Sequence, residues 1–83
     1  MKFKAEIDIM PLEALLDPQG KAVTSSLKNI GLSEISNVRI GKHITFYIDA
    51  DNKEKAKLII EDSCKRLLVN EVMEYYNYTI SEQ

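Results

Sequence analysis

His43 and Cys64 are each the only residue of their kind in this 83-residue chain. A histidine does acid–base work only beside a group that gains or loses a proton, and it holds a metal only with companion ligands. The residues flanking His43 are Lys42 and Ile44, which offer neither. It reads as a surface residue where a turn re-enters a strand. Cys64 falls at helical spacing from Ala56 and Ile60, so it is a small core hydrophobe rather than a thiolate. One cysteine excludes an intramolecular disulfide framework and a multi-thiolate zinc site. The 13 acidic residues fall mostly at helix caps, in acid–base pairs four apart or on strand faces, and form no evident dyad for acid–base catalysis. Gly20, Gly31 and Gly41 are isolated, so no phosphate-cradling loop is present. In Asp17-Pro18-Gln19-Gly20 the glycine leaves backbone bare at a helix start, where an anion or a partner's carbonyl could approach. Asp17 as the helix cap would fill the same position.

The elements that must carry these residues are legible from period and punctuation. Phe3, Ala5, Ile7 and Ile9 alternate with Lys2, Lys4, Glu6 and Asp8, which predicts a strand over 2–10 with one wet face, ended by Pro11. Asp17-Pro18 opens a helix over 18–30, and Gly31 closes it. Val38 and Ile40, then Gly41-Lys42, then Ile44, Phe46 and Ile48 predict a tight hairpin over 36–50. Asp51 and Glu54 form a capping box for a second helix, with Ala56, Ile60, Ser63, Cys64 and Leu67 on its buried stripe. Leu58 and Val69 lie nearly opposite that stripe. Asn70 caps this helix, and Glu74 to Ile80 form the last strand, with Ser81 to Gln83 fraying. The order is βαββαβ: an α+β ferredoxin-like sandwich, a four-stranded antiparallel sheet with two helices on one face.

Size and charge narrow the function. A chain this short forms one domain, 1–83, exposing roughly 5,000 Å² when folded against roughly 14,000 Å² unfolded. Hydrophobic residues at 45 % and charged residues at 29 % are ordinary for a globular domain. A net charge of −2 gives no basis for gripping a phosphate backbone. RNA-recognition modules share the topology, but His43 to Asp49 lacks their basic and aromatic signature. Acylphosphatase-like hydrolases need a glycine- and arginine-containing cradle after the first strand, and residues 11–17 contain neither. No apolar run reaches membrane-spanning length, and the first residues lack a signal-peptide core, so the expected location is the cytoplasm. The open sheet face, with Lys4, Glu6, Arg39, Thr45, Tyr47 and Tyr75, mixes polar and aromatic groups as an intermittently dry surface does. A chain of this size gains most from a partner that covers such positions, so self-association is expected.

Three segments stand out: Leu16-Asp17-Pro18-Gln19-Gly20-Lys21-Ala22-Val23, Val38-Arg39-Ile40-Gly41-Lys42, and Leu67-Leu68-Val69-Asn70-Glu71-Val72-Met73-Glu74-Tyr75-Tyr76. Together they resemble the PurS family, the small subunit of phosphoribosylformylglycinamidine synthase. Their order, spacing and the chain length agree with the family. Departures are Glu71, where the family commonly has proline, Met73, where it often has isoleucine, and the stretch Pro11 to Leu15. The resemblance implies a subunit without catalytic residues, metal or cofactor of its own. Its partners would be a large synthetase subunit using ATP and magnesium, a glutaminase subunit releasing ammonia from glutamine, and further copies of itself, with no nucleic acid or membrane. The reaction served would convert formylglycinamide ribonucleotide to formylglycinamidine ribonucleotide in de novo purine biosynthesis. The residues matching the motifs, and so expected at partner contacts, are Asp17, Pro18, Gln19, Gly20, Arg39, Gly41, Lys42 and Asn70. An alternative is a stand-alone dimeric regulatory module binding a small metabolite.

Overall fold

A computed structural model describes residues 1–83. Strand β1 (Lys2–Pro11) is followed by helix α1 (Pro18–Asn29), strand β2 (Lys42–Asp49), helix α2 (Lys53–Ser63) and strand β3 (Glu74–Glu82). The sheet has three strands in the order β2-β1-β3, not the expected four. Both pairings are antiparallel, with Ile7 opposite Ile44 on one side and Tyr78 on the other. The class is α+β and ferredoxin-like as expected, but the element order is βαβαβ rather than βαββαβ. The missing strand is the first arm of the expected hairpin: Val38 and Ile40 belong to no strand.

The cause lies at Gly41. A two-residue hairpin turn needs positive φ at its central positions. Gly31 and Asn37 are the only residues with positive φ, so Gly41-Lys42 makes no such turn. The chain makes no tight reversal there and presses on β1, where a β-carbon on Gly41 would lie 2.2 Å from the Ile9 carbonyl oxygen. Residues 38–40 therefore lead into β2 instead of folding back along it.

The alternation in β1 has its expected result. Phe3, Ala5, Ile7 and Ile9 are buried and pack with Ile48, with Ala56 and Ile60 from α2, and with Cys64 just beyond its end. Burying each large side chain contributes roughly 1.5–3 kcal/mol, so this one face holds sheet and helix together. Cys64 is fully buried, and burial pushes its thiol above the ordinary range. Three local expectations for α2 change. Its N-cap is Asn52, which accepts from the Lys55 N–H at 2.9 Å, while Asp51 pairs with the Lys55 ammonium. The helix ends in a π turn, Cys64–Leu68, whose extra residue per turn rotates the stripe. Leu67 is thereby left exposed and Val69 is buried, the reverse of a regular α-helical reading. Ser81 and Glu82 do not fray, because they pair with Lys4 and Phe3.

Helix α1 stands apart. Asp17 caps it by accepting the Gly20 N–H at 3.0 Å, and Gly31, with φ of 87°, ends it, both as its sequence predicts. Yet its only buried residue is Gly20, and the molecule measures 52 × 27 × 14 Å. Only α2 covers the apolar face of the sheet. Helix α1 and residues 30–40 form an arm that extends beyond it.

Candidate functional site

At the base of that arm, β1 hands the chain to α1 and the returning chain enters β2. One carboxylate joins the two passages. Asp17 Oδ1 accepts from Gly20 N, and Oδ2 accepts from Ile40 N at 2.9 Å. These two N–H groups, with Arg39 adding positive charge, hold the Asp17 carboxyl below the usual carboxylate range. Gly20 packs so closely on the returning segment that a β-carbon there would lie 2.0 Å from the Val38 carbonyl oxygen. Thr24 adds a further tie: its Oγ1 accepts from Val38 N at 3.2 Å and donates to the Gly20 carbonyl at 2.8 Å.

Arg39 uses its planar fork within the chain. Its guanidinium donates to the carbonyls of Leu12 at 2.7 Å, Leu15 at 3.2 Å and Pro11 at 3.4 Å. It also stands 4.0 Å from Asp17 Oδ2. A lysine, with one nitrogen, could not bridge these carbonyls in the same way. The connection over residues 11–17 is thus fastened by a side chain more than twenty residues further on.

Lys42 reaches the opposite wall, 3.3 Å from the Glu74 carboxylate. Glu74 also accepts from Asn70 N at 2.9 Å, and this bond, with Lys42, holds its carboxyl pKa below the ordinary value. Asn70 does not cap α2 with its side chain. Its Oδ1 accepts from Val72 N at 3.2 Å, and its carbonyl accepts from Met73 N and Glu74 N, which shapes the turn into β3. Pro18, Gln19, Gly41, Lys42 and Glu74 share the walls of an open cleft of about 480 Å³. All eight motif residues, taken from three separate stretches of sequence, therefore gather at one end of the sheet.

The pairing of Glu74 with Lys42 and that of Thr24 with Val38 escape the sequence reading. They span 32 and 14 residues, and no local period marks such pairs. Away from this end, His43 lies opposite Asp8, with Nδ1 2.6 Å from Asp8 Oδ1 and Nε2 3.8 Å from Glu6 Oε1. The two carboxylates approach opposite edges of the ring, so they converge on no common point. No group of three or more His, Cys, Asp or Glu side chains is placed to hold a metal ion. No helix is long and apolar enough to cross a membrane. What the arm base offers is a rigid, hydrogen-bonded surface of mixed charge, suited to binding rather than to bond-making.

Residues 4–82 match the model of the family described as PurS, phosphoribosylformylglycinamidine (FGAM) synthase. The chain is similar to the phosphoribosylformylglycinamidine synthase subunit PurS of Bacillus subtilis, 32 % identical over 80 residues, covering 96 % of this chain and 94 % of that protein. The same subunit of Thermotoga maritima is 36 % identical over 74 residues, covering 89 % and 90 %. Among solved structures, a chain of PurLQS from Thermotoga maritima superposes with a TM-score of 0.90 at 33 % identity, covering 98 % of this chain and 99 % of that one.

Proposed function

This chain belongs to the PurS family, and on that premise we propose that it is the bridging subunit of a phosphoribosylformylglycinamidine synthase. It joins a large ATP- and magnesium-using synthetase subunit to a glutaminase subunit, together with a further copy of itself. Ammonia released from glutamine then reaches formylglycinamide ribonucleotide and gives formylglycinamidine ribonucleotide in purine biosynthesis. The chain is a single domain over residues 1–83, works in the cytoplasm and binds no cofactor of its own. Its contribution is geometric. Fixing the ammonia source against the acceptor raises effective concentration and limits escape to water.

The observation that carries this reading is the gathering of Asp17, Pro18, Gln19, Gly20, Arg39, Gly41, Lys42 and Asn70 at the arm base, away from any reactive cluster. We assign that end as the surface presented to the larger subunits. Pro18, Gln19 and Lys42 are exposed there and make the direct contacts. Asp17, Gly20 and Arg39 hold their backbone in place from beneath.

Reconstitution tests this assignment. Glutamine-dependent amidine formation requires this chain beside the two larger subunits, whereas turnover on added ammonia proceeds without it. The double variant Gln19→Ala/Lys42→Ala keeps the wild-type far-ultraviolet circular dichroism but fails to co-elute with the larger subunits. Co-elution undiminished by that variant would move the docking surface elsewhere.

A further inference from the structure

A second cleft, of about 320 Å³, lies between α1 and the segment returning toward β2. Lys21 and Ser25 line it from the helix, Asn37 and Arg39 from the returning segment, and Leu15 and Leu16 from the connection after β1. Its volume is that of a small-molecule site.

The donors in this cleft are left over from the folding contacts. A guanidinium carries five N–H groups, and the carbonyls of Pro11, Leu12 and Leu15 take up at most three of those on Arg39. The Nε–H remains, 4.0 Å from Asp17 Oδ2 and so beyond hydrogen-bond reach, together with one Nη1–H. The lysines that pair with carboxylates are Lys42 and Lys55, which leaves the Lys21 ammonium free. The Ser25 hydroxyl and the Asn37 amide are likewise unspent within the chain. Thr24 differs, because its hydroxyl is used twice to brace the wall.

Acceptors are scarce by comparison. Asp17 is the one carboxylate in the lining, and both of its oxygens already accept backbone N–H groups. Glu13 shares only the adjoining cleft with Asn37 and Arg39. A carboxylate ligand would present two oxygens to this set of donors. A phosphate group presents three, with a charge near −2, and so suits a guanidinium edge, an ammonium, a hydroxyl and an amide supplied by two segments of the chain.

We propose that this cleft binds a phosphate group. Arg39 and Lys21 supply the charge, and Ser25 and Asn37 the remaining hydrogen bonds. Leu15 and Leu16 form an apolar rim on which an organic part of the ligand would rest. Because Arg39 also fastens the connection after β1, an occupied cleft stiffens that connection. The site requires neither the bridging role nor a partner subunit, so the failure of one leaves the other standing.

The isotopically labelled wild-type chain, titrated with inorganic phosphate and separately with phenyl phosphate, tests the site by nuclear magnetic resonance. Sodium chloride at equal ionic strength is the control. Saturable shifts are expected at the amides of residues 21–25 and 37–39 and at the Arg39 Nε–H, with a dissociation constant of about 1 mM or lower. Tighter binding of phenyl phosphate assigns the site to organic phosphates, and equal or weaker binding assigns it to the free ion. In the double variant Lys21→Ala/Ser25→Ala, both exposed positions of α1, affinity should fall about tenfold with circular dichroism unchanged. Asn37→Asp, a residue that tolerates the φ of 55° found there, puts a carboxylate in the same wall and should abolish binding. Shifts that sodium chloride reproduces, shifts confined to other residues, or undiminished affinity in either variant would overturn the assignment.

Discussion

The backbone N–H of Ile40 donates to Asp17 Oδ2 at 2.9 Å, so one helix cap also anchors the chain on its way into β2, 23 residues later. Asp17 is 8 % exposed, and its two oxygens are divided between the two passages of the chain. Capping would require only one of these bonds. The second converts a local helix signal into the pin that fixes the arm to the sheet.

The close approach behind that pin gives the sharpest mutational expectation. In Gly20→Ala the new β-carbon would meet the Val38 carbonyl at 2.0 Å and Asp17 Oδ2 at 2.7 Å. The first is backbone and cannot rotate away, so helix and returning segment must separate. A loss of about 2 kcal/mol is expected, read by urea denaturation. Gly31→Ala is a different case, with open space around it but a φ of 87°, and it should cost about 1 kcal/mol through strain alone.

Arg39→Lys keeps the charge but loses the fork. Three carbonyls in 11–15 then share at most one ammonium. Faster amide exchange over residues 12–17 is expected, with the exchange of β1 and β3 amides unchanged. Equal protection in the variant would show that the connection holds its shape without the guanidinium.

Acid should loosen the arm base before the core. The folded state keeps Asp17 and Glu74 ionised below their ordinary values of 3.8 and 4.5. A depressed folded value means that the unfolded chain takes up protons first as pH falls. The stabilisation is therefore complete above about pH 5 and is lost as pH drops through the ordinary values toward the folded ones. Melting temperature against pH should fall off over that range, and Glu74→Gln should flatten part of the slope.

At the far edge of the sheet, the Tyr78 hydroxyl donates to Glu61 Oε2 at 2.6 Å, and that bond, with burial, pushes its phenol up to about 12. Here the sign is reversed. The stabilisation is complete below the ordinary value of 10 and is lost as pH rises through about 12. Ultraviolet titration should show Tyr78 ionising in a late phase near 12. In Glu61→Gln this late phase should move back toward 10.

The legible parts of the fold are those whose cause lies within a few residues. Alternation in β1 follows from a period of two, the ends of α1 follow from Asp17, Pro18 and Gly31, and the Ala56–Ile60–Cys64 stripe follows from helical spacing. The family motifs are local too, which is why Asp17, Gly20, Arg39 and Lys42 stand out before any fold is known. Their neighbourhood is not local. That Arg39 fastens residues 11–15, or that Lys42 meets Glu74, depends on β1 lying between β2 and β3.

The same distinction explains the errors. Val38-Arg39-Ile40-Gly41-Lys42 has the alternation and the glycine of a hairpin, but a pattern this local does not tell a turn from a passage that leads onward. Only the packing of Gly41 on Ile9 and of Gly20 on Val38 decides where the chain goes. The π turn at Cys64–Leu68 is likewise a tertiary outcome, inserting one residue so that Val69 reaches the core at the expense of Leu67. Short-range periodicity thus determined which segments are helix and strand, which face of β1 is dry and which family motifs are present. The sheet's missing strand, the free arm and the meeting of distant charges were decided by tertiary structure, because contacts between remote segments leave no period in the chain.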